Sequence, residues 1–196
     1  MATSYQDKHR KILKPFAIFL AKTGIHPNFI TLLSFMLTSS GIVWIILKKP
    51  LIAFLWFLIT APLDAVDGYV ARISGKTSKF GAFLDSTLDR VSDSLIFLSL
   101  MYVFRGDKIL FPLLSISLIS SYLISYTRAR VEGLGGELKE GLMSRYPRFF
   151  GFLILILIWE FLGILWFKYT LSIYALLLIF TVLQRIFLAY RKLQYK

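Results

Sequence analysis

Residues 51–93 read LIAFLWFLITAPLDAVDGYVARISGKTSKFGAFLDSTLDRVSD, and this stretch determines the fold that we expect. One apolar run ends near Ile73, a short polar segment follows, and a second apolar run begins near Phe80. Each run can form a helix that crosses a bilayer, which takes about 20 residues. Because the connection between them is short, the two helices should be antiparallel neighbours.

Four aspartates lie where these two helices approach their connection. Asp64 and Asp67 are spaced i, i+3, and Asp85 and Asp89 are spaced i, i+4, so each pair shares one helix face. The two pairs can therefore face each other near one surface of the membrane.

Such a group of acids needs a counter-charge. A charged side chain at mid-membrane costs about 2.5–3.5 kcal/mol, so four unpaired ones would cost about 10 kcal/mol or more, comparable with a folding free energy of about 5–15 kcal/mol. Salt bridges to Arg72 and Arg90 are the structural alternative, but two cations cannot neutralise four carboxylates, and Asp93 adds a fifth. Oxygen ligands select hard divalent cations, so we expect two Mg²⁺ or Mn²⁺ ions.

The composition predicts an integral membrane protein. Hydrophobic residues make up 57% of the chain and the mean hydropathy is +0.68, whereas soluble domains are about 45–50% apolar. The absence of cysteine excludes disulfides, thiolate metal sites and cysteine nucleophiles. We expect an all-α fold in one membrane domain, residues 1–196, with an amphipathic interfacial helix at 1–24. The six predicted transmembrane helices cover about 27–47, 51–73, 80–104, 109–130, 149–167 and 171–190.

The net charge of +12 is interpreted as a topology signal. Basic chains often bind nucleic acid, but these cations flank apolar runs and most of the 23 Lys and Arg lie on the side of the termini. This asymmetry predicts that both termini and the acidic site face the cytoplasm, with no nucleic-acid partner. Contact with anionic lipid headgroups explains the same cations.

Small residues surround the acids and have two interpretations. Gly68, Gly81 and Ala82 lie beside the aspartates, and Ala71 and Gly75 have small-xxx-small spacing. That spacing is typical of close helix packing in membranes. Alternatively, the missing side chains allow the backbone to approach a nucleotide, and both interpretations stay open.

The stretch from Asp64 to Asp89 resembles the signature of the CDP-alcohol phosphotransferase family, D-x₂-D-G-x₂-A-R-x₈-G-x₃-D-x₃-D. Every fixed position matches with the spacing intact. The resemblance extends to the run His26–Thr31, which opens the first predicted span.

This resemblance implies a reaction and a set of roles. A hydroxyl of the acceptor attacks the β-phosphorus of a CDP-lipid and CMP leaves, and a homodimer is implied. Asp89 would be both a metal ligand and the general base. The implied metal ligands are Asp64, Asp67, Asp85 and Asp89. The implied CDP-binding residues are Asp67, Gly68, Ala71, Arg72, Ser78 and Gly81, with Arg72 on the diphosphate and Ser78 in a weaker role.

The acceptor is predicted from the segment Ser125–Gly135, which is similar to the branch that attaches inositol phosphate to CDP-diacylglycerol or CDP-archaeol. That branch commonly has Glu-Arg-x-x-Arg after this segment, whereas here Ser144 replaces the Glu. The alternatives are glycerol 3-phosphate as acceptor, or CDP-inositol as donor to inositol phosphate. As ligands of the acceptor phosphate, the resemblance implies Arg128, one or both of Arg145 and Arg148, and Arg185.

Alternative roles for these arginines and for the acids stay open at this point. The positive-inside rule alone would account for the loop cations, and extension of the side chain to the interface would account for Arg185. Intramembrane acids also occur in cation transporters. A transporter should have acids across the bilayer depth, whereas the first, fifth and sixth predicted spans carry only Glu160. A lipid-binding scaffold would leave the converging acids without a role.

Overall fold

The computed structural model describes residue 15 and residues 17–194, without the side chains of residues 64 and 65. Within this part, every regular element is a helix. Residues 17–22 are helical, and most of the predicted interfacial helix, 1–24, lies outside the described residues. The main helices are α1 (Pro27–Ser40), α2 (Ile42–Ile46), α3 (Pro50–Ile73), α4 (Lys79–Val103), α5 (Leu110–Gly133) and α6 (Arg145–Gln194).

Four segments of the described chain have the length and hydropathy to cross a bilayer. They are Pro27–Ile46, Pro50–Ile73, Leu110–Gly133 and the 50-residue segment Arg145–Gln194. Helix α4 has 25 residues but is not among them, since it carries Asp85, Asp89, Arg90 and Asp93. Large apolar side chains such as Phe161 and Leu176 are exposed, as lipid-facing residues are. The chain is therefore a multi-pass membrane protein, and the count of six spans stays a prediction.

Local sequence signals fix the start of α1 and the end of α3. Pro27 is at the first helical position of α1, where its missing N–H costs no hydrogen bond. His26 caps this helix by accepting the N–H of Asn28 at 3.2 Å. After α3, Gly75 has φ +66°, and the N–H of Lys76 donates to the Ala71 carbonyl at 2.9 Å. This is a Schellman C-cap, which glycine adopts most readily.

The break between the fifth and sixth predicted spans is in a different place. We expected it at residues 168–170, but these residues are helical and the non-helical residue in α6 is Gly163, with φ 80° and ψ −177°. Lys168 suggested a loop, yet its ammonium pairs with Asp107 at 2.6 Å. The charge is thus compensated, whereas the backbone of Gly163 has a conformation that side chains disfavour.

The described residues form two compact units, which we describe separately. The first contains the described residues up to Gly41 together with Leu55–Ser92. In it, Ile30 of α1 packs with Val66 and Val70 of α3, and the Trp56 indole donates to the Leu37 carbonyl at 2.8 Å. One domain over residues 1–196 stays a prediction.

The second unit contains Ile42–Phe54 and Asp93–Lys196. Helices α5 and α6 pack together, with Leu114, Ile124, Ile156 and Leu178 fully buried. The Glu160 carboxylate accepts the N–H of Leu51 at 3.3 Å, at the start of α3. A carboxylate at a helix N-terminus is favourable, so this acid has a structural role.

We predict that Gly75→Ala lowers the thermal stability of the purified protein. A residue with a Cβ atom in the left-handed conformation costs about 1–2 kcal/mol, which is about 2–8 °C in Tm for a chain of this size. Gly106→Ala is the control, since Gly106 has no positive φ and no described atom would lie within 4 Å of the new Cβ. Equal Tm values for the two variants in a detergent melt would contradict this account.

Candidate active site

The predicted site residues of the first unit lie at the end of α3 and the beginning of α4. Helix α3 ends at Ile73 and α4 begins at Lys79, so residues 74–78 connect them, as expected from the sequence. The Ser78 hydroxyl caps α4 by accepting the N–H of Gly81 at 2.9 Å. Ser78, predicted as a weak nucleotide ligand, therefore also has a structural role.

Asp67 is the acid whose surroundings are defined best. It is only 6% exposed, and the Thr31 hydroxyl of α1 donates to its Oδ2 at 2.5 Å. The Gly68 N–H donates to Oδ1. The carboxylate is thus oriented by a residue 36 positions away in the sequence. Sequence analysis missed this role of Thr31, although a threonine in an apolar span was a signal.

The other three predicted metal ligands lie on α3 and α4. Asp85 and Asp89 are half-buried on one face of α4. Arg90, a candidate partner for the acids, donates to the Ser86 carbonyl of its own helix. The backbone of Asp64 is in α3, but its side chain lies outside the described residues.

The predicted set of four carboxylates has the donor chemistry that Mg²⁺ or Mn²⁺ prefers. Among the side chains that the structure describes, no three His, Cys, Asp or Glu residues are grouped as metal ligands. This result does not include the Asp64 side chain. The metal centre therefore stays a prediction, and the buried, oriented carboxylate of Asp67 fits a ligand role.

The surface at Gly68 is open and has a cation beside it. Among the described atoms, a Cβ atom at Gly68 would meet only Arg72 Nη2, at 3.7 Å, which is an ordinary contact. The exposed Arg72 guanidinium lies over the Tyr69 ring, 4.8 Å from its centroid. The described residues thus give no packing reason for glycine at this position, and they leave room for an anionic group at the backbone.

The remaining small residues of the signature differ in what they contact. Gly75 follows the end of α3, and no described atom lies within 4 Å of an added Cβ. The interpretation that Ala71 and Gly75 form a helix-packing motif is therefore wrong for Gly75. At Gly81 an added Cβ would lie 3.0 Å from both Asn28 Oδ1 and Ser78 Oγ. Glycine at position 81 therefore leaves room for the side chain of Asn28 in α1 and for the Ser78 hydroxyl.

In the second unit, Arg148 is buried in a polar environment. It is 7% exposed, and its Nη2 lies 3.2 Å from Ser125 Oγ and 3.5 Å from Asp93 Oδ2. Its buried Nε has no hydrogen-bond partner among the described residues. Arg148 lines a small cavity together with Asp93, Ile96, Phe97, Ser121, Phe149, Phe152 and Tyr174.

Arg185 is also buried, so the interpretation that it extends to the interface is wrong. It is 3% exposed. Its Nε donates to the Glu140 carbonyl at 3.0 Å, and its Nη1 donates to the Ile124 carbonyl of α5. Arg148 and Arg185 thus contact adjacent residues of α5, Ser125 and Ile124, and lie in the same region of the second unit.

The other two predicted acceptor ligands are exposed. Arg128 is in the last part of α5, where its Nε pairs with Glu132 Oε1 at 2.8 Å. Arg145 is the first residue of α6. Surface ion pairs are weak. Because the Arg128–Glu132 pair is at the surface, another anion can reach the Arg128 guanidinium and compete with Glu132.

The loop between α5 and α6 is held against the last helix. The Leu142 N–H donates to Gln184 at 3.1 Å and the Met143 N–H to Thr181 at 3.1 Å. Lys192 pairs with Glu140 at 2.6 Å, and this hydrogen bond holds the pKa of the Glu140 carboxyl below its usual value. These contacts fix the segment that leads into Arg145 and Arg148.

Comparisons with known proteins agree with the signature. The family model for CDP-alcohol phosphatidyltransferase matches residues 24–186. The archaetidylinositol phosphate synthase of Pyrococcus horikoshii is 34% identical over 195 residues, which cover 99% of each chain. The phosphatidylinositol phosphate synthase of Streptomyces avermitilis is 41% identical over 146 residues, 70% of this chain and 59% of that protein.

Solved structures are similar over almost the whole chain. The phosphatidylinositol phosphate synthase of Mycobacterium tuberculosis with CDP-DAG bound matches with a TM-score of 0.85 and 26% identity, covering 93% of this chain and 95% of that chain. The same enzyme in complex with manganese and citrate matches with a TM-score of 0.84, covering 92% and 90%. The family match over most of the chain, the intact signature and the shared fold agree: this chain is a membrane transferase of the CDP-alcohol phosphatidyltransferase family.

Proposed function

We propose that this enzyme transfers a lipid-phosphate group from a CDP-lipid to a hydroxyl of inositol phosphate and releases CMP. One observation of this chain carries the proposal: within the intact signature, the buried Asp67 precedes the open backbone of Gly68, with Arg72 beside it. The names of the relatives support inositol phosphate as the acceptor. They include both phosphatidyl and archaetidyl synthases, so CDP-diacylglycerol and CDP-archaeol are the candidate donors.

Two divalent ions, Mg²⁺ or Mn²⁺, would be held by the signature carboxylates. The manganese complex of the mycobacterial enzyme supports this metal class. When bound, such ions neutralise the diphosphate charge and stabilise the departing oxygen. The proposed ligands are Asp64, Asp67, Asp85 and Asp89.

The CDP group would approach the backbone between α3 and α4. The Arg72 guanidinium is exposed beside Gly68, and a guanidinium binds phosphate oxygens through paired N–H donors. Gly68 and Ala71 would leave room for the nucleotide, and Gly81 allows Asn28 to lie close. The proposed CDP-binding residues are Asp67, Gly68, Ala71, Arg72, Ser78 and Gly81.

Asp89 would act as the general base. Its carboxylate takes the proton of the acceptor hydroxyl as that oxygen bonds to the β-phosphorus. The bond from the β-phosphorus to the bridging oxygen breaks, and CMP leaves with that oxygen. The lipid stays on the β-phosphorus, so the product is a phosphodiester and no redox step is required.

The acceptor phosphate would be bound by Arg128, Arg145, Arg148 and Arg185. The buried Arg148, whose Nε has no described partner, is the group most suited to a ligand oxygen. Because Ser144 replaces the usual Glu, glycerol 3-phosphate as acceptor and CDP-inositol as donor to inositol phosphate are tested beside inositol phosphate. The family membership excludes the cation transporter and the scaffold as main functions.

We further propose that both termini and the active site face the cytoplasm, and that the enzyme is a homodimer. The excess of Lys and Arg on the side of the termini supports this orientation. A cytoplasmic site gives access to the water-soluble acceptor, while the CDP-lipid arrives from the membrane.

With a CDP-lipid, inositol phosphate and Mg²⁺ or Mn²⁺, the purified protein should release CMP. Asp89→Asn should lower the rate by about 100-fold or more, since general bases contribute about 10²–10⁴-fold. Asp107→Asn is the matched control, because Asp107 pairs with Lys168 outside the signature. The proposal is wrong if no acceptor in a panel with glycerol 3-phosphate and CDP-inositol supports metal-dependent CMP release.

Gly68→Ala should affect catalysis, whereas Gly81→Ala should affect stability. The Gly68 Cβ has room, so this variant should keep the wild-type Tm but lose about tenfold or more in kcat/KM for the CDP-lipid, because the backbone approach is blocked. Gly81→Ala should lower Tm, since its Cβ crowds Asn28 and Ser78. Wild-type kinetics for Gly68→Ala would count against a nucleotide at this surface.

Arg128→Ala should raise the KM for inositol phosphate by about tenfold or more, as expected when a charged hydrogen bond is lost, and leave the KM for the CDP-lipid unchanged. Glu132→Gln removes the ion pair but keeps the arginine, so it should leave both KM values unchanged. If the two variants behave alike in steady-state kinetics, Arg128 has only a structural role.

A further inference from the structure

The Thr31 hydroxyl of α1 has one proton and two acceptors within reach. The Pro27 carbonyl of its own helix is 3.2 Å away, and Asp67 Oδ2 is 2.5 Å away. Hydroxyl bonds to ionised carboxylates are about 2.5–2.7 Å long and about twice as strong as neutral ones. The proton is therefore donated to Asp67.

Both partners are buried, and apolar residues next to them in the sequence are buried too. Thr31 and Asp67 are each 6% exposed, and Ile30, Val66 and Val70 form a buried cluster around this part of α1 and α3. In such an environment a hydrogen bond is electrostatically stronger than in water. The Thr31 bond therefore restricts the orientation of the Asp67 carboxylate strongly.

The orientation that results is specific. Oδ2 is held by Thr31, and Oδ1 accepts from the N–H of Gly68, the residue whose surface is open beside Arg72. A hydroxyl donor fixes a carboxylate without bringing a positive charge to it, so this contact is compatible with a bound cation. This is the arrangement by which an outer-sphere partner orients a metal ligand.

We propose that Thr31 is a positioning residue for metal binding: its hydroxyl fixes the Asp67 carboxylate in the orientation that binds the divalent ion. The inference rests on the metal-ligand role of Asp67 in the proposed function. It adds a residue of α1, outside the signature, to the machinery of the site.

The test is the Mn²⁺ affinity of the full-length protein, measured as free Mn²⁺ by electron paramagnetic resonance. Thr31→Val keeps the shape but removes the hydroxyl, and should weaken Mn²⁺ binding by about 10–100-fold, the range for lost outer-sphere partners. Thr31→Ser keeps the hydroxyl and should bind nearly as the wild type does. The rate at saturating substrate should rise with Mn²⁺ concentration in parallel with these affinities.

Thr60→Val is the matched control. Thr60 is 4% exposed on α3, and its hydroxyl donates to the Trp56 carbonyl of its own helix at 2.9 Å. The same substitution there removes a buried hydroxyl whose bond, among the described residues, is to the backbone of its own helix, and it should leave Mn²⁺ affinity unchanged. Should Thr31→Val fail to fold, Thr31→Ala against Thr31→Ser isolates the hydroxyl, since both lack the methyl group.

Unchanged Mn²⁺ affinity in Thr31→Val, or an equal loss in Thr31→Ser and Thr31→Ala, would overturn the positioning role. This failure is distinct from that of the proposed function. If the wild type binds Mn²⁺ in a Thr31-dependent manner but releases no CMP with any acceptor, the positioning role stands and the proposed reaction falls. If CMP is released and the Thr31 variants bind Mn²⁺ with unchanged affinity, the proposed reaction stands and the positioning role is wrong.

Discussion

Acidic side chains within apolar helices are the constraint on which the rest of this structure depends. Asp67 is buried in the apolar first unit, and Asp85 and Asp89 are half-buried on α4. The Thr31 hydroxyl orients Asp67 but cannot neutralise it. Such carboxylates are tolerated where a cation completes the charge balance. A metal-dependent reaction of the CDP-alcohol phosphatidyltransferase family fits this requirement.

The two units differ in the sign of the charge that they bury. The first presents carboxylates, which suit divalent cations, and an exposed arginine beside a bare glycine backbone. The second buries two arginines of α6, Arg148 and Arg185, which contact adjacent residues of α5. Guanidinium groups suit a phosphate. This division follows the chemistry of the proposed substrates, one a metal-bound diphosphate and the other a phosphorylated alcohol.

Sequence analysis was successful where the signal is local. Pro27 marked the start of α1, and the short polar segment marked the junction of α3 and α4, because proline and hydropathy act on neighbouring residues. It failed where contacts between residues that are distant in the sequence determine the structure. The charge of Lys168 suggested a loop, since its partner Asp107 is distant in the sequence, in the connection between α4 and α5. The burial of Arg185 depends on carbonyls of α5 and of the loop between α5 and α6. The Thr31–Asp67 bond likewise joins two helices, and a threonine in an apolar span does not indicate which residue it contacts.

The central claim is that the signature aspartates bind divalent metal together. A structure of the protein with Mn²⁺, with anomalous diffraction recorded at the manganese edge, tests this claim most directly. The account predicts two anomalous peaks, each coordinated by carboxylate oxygens from both α3 and α4. A manganese-saturated crystal with no anomalous peak at Asp64, Asp67, Asp85 and Asp89 would contradict it.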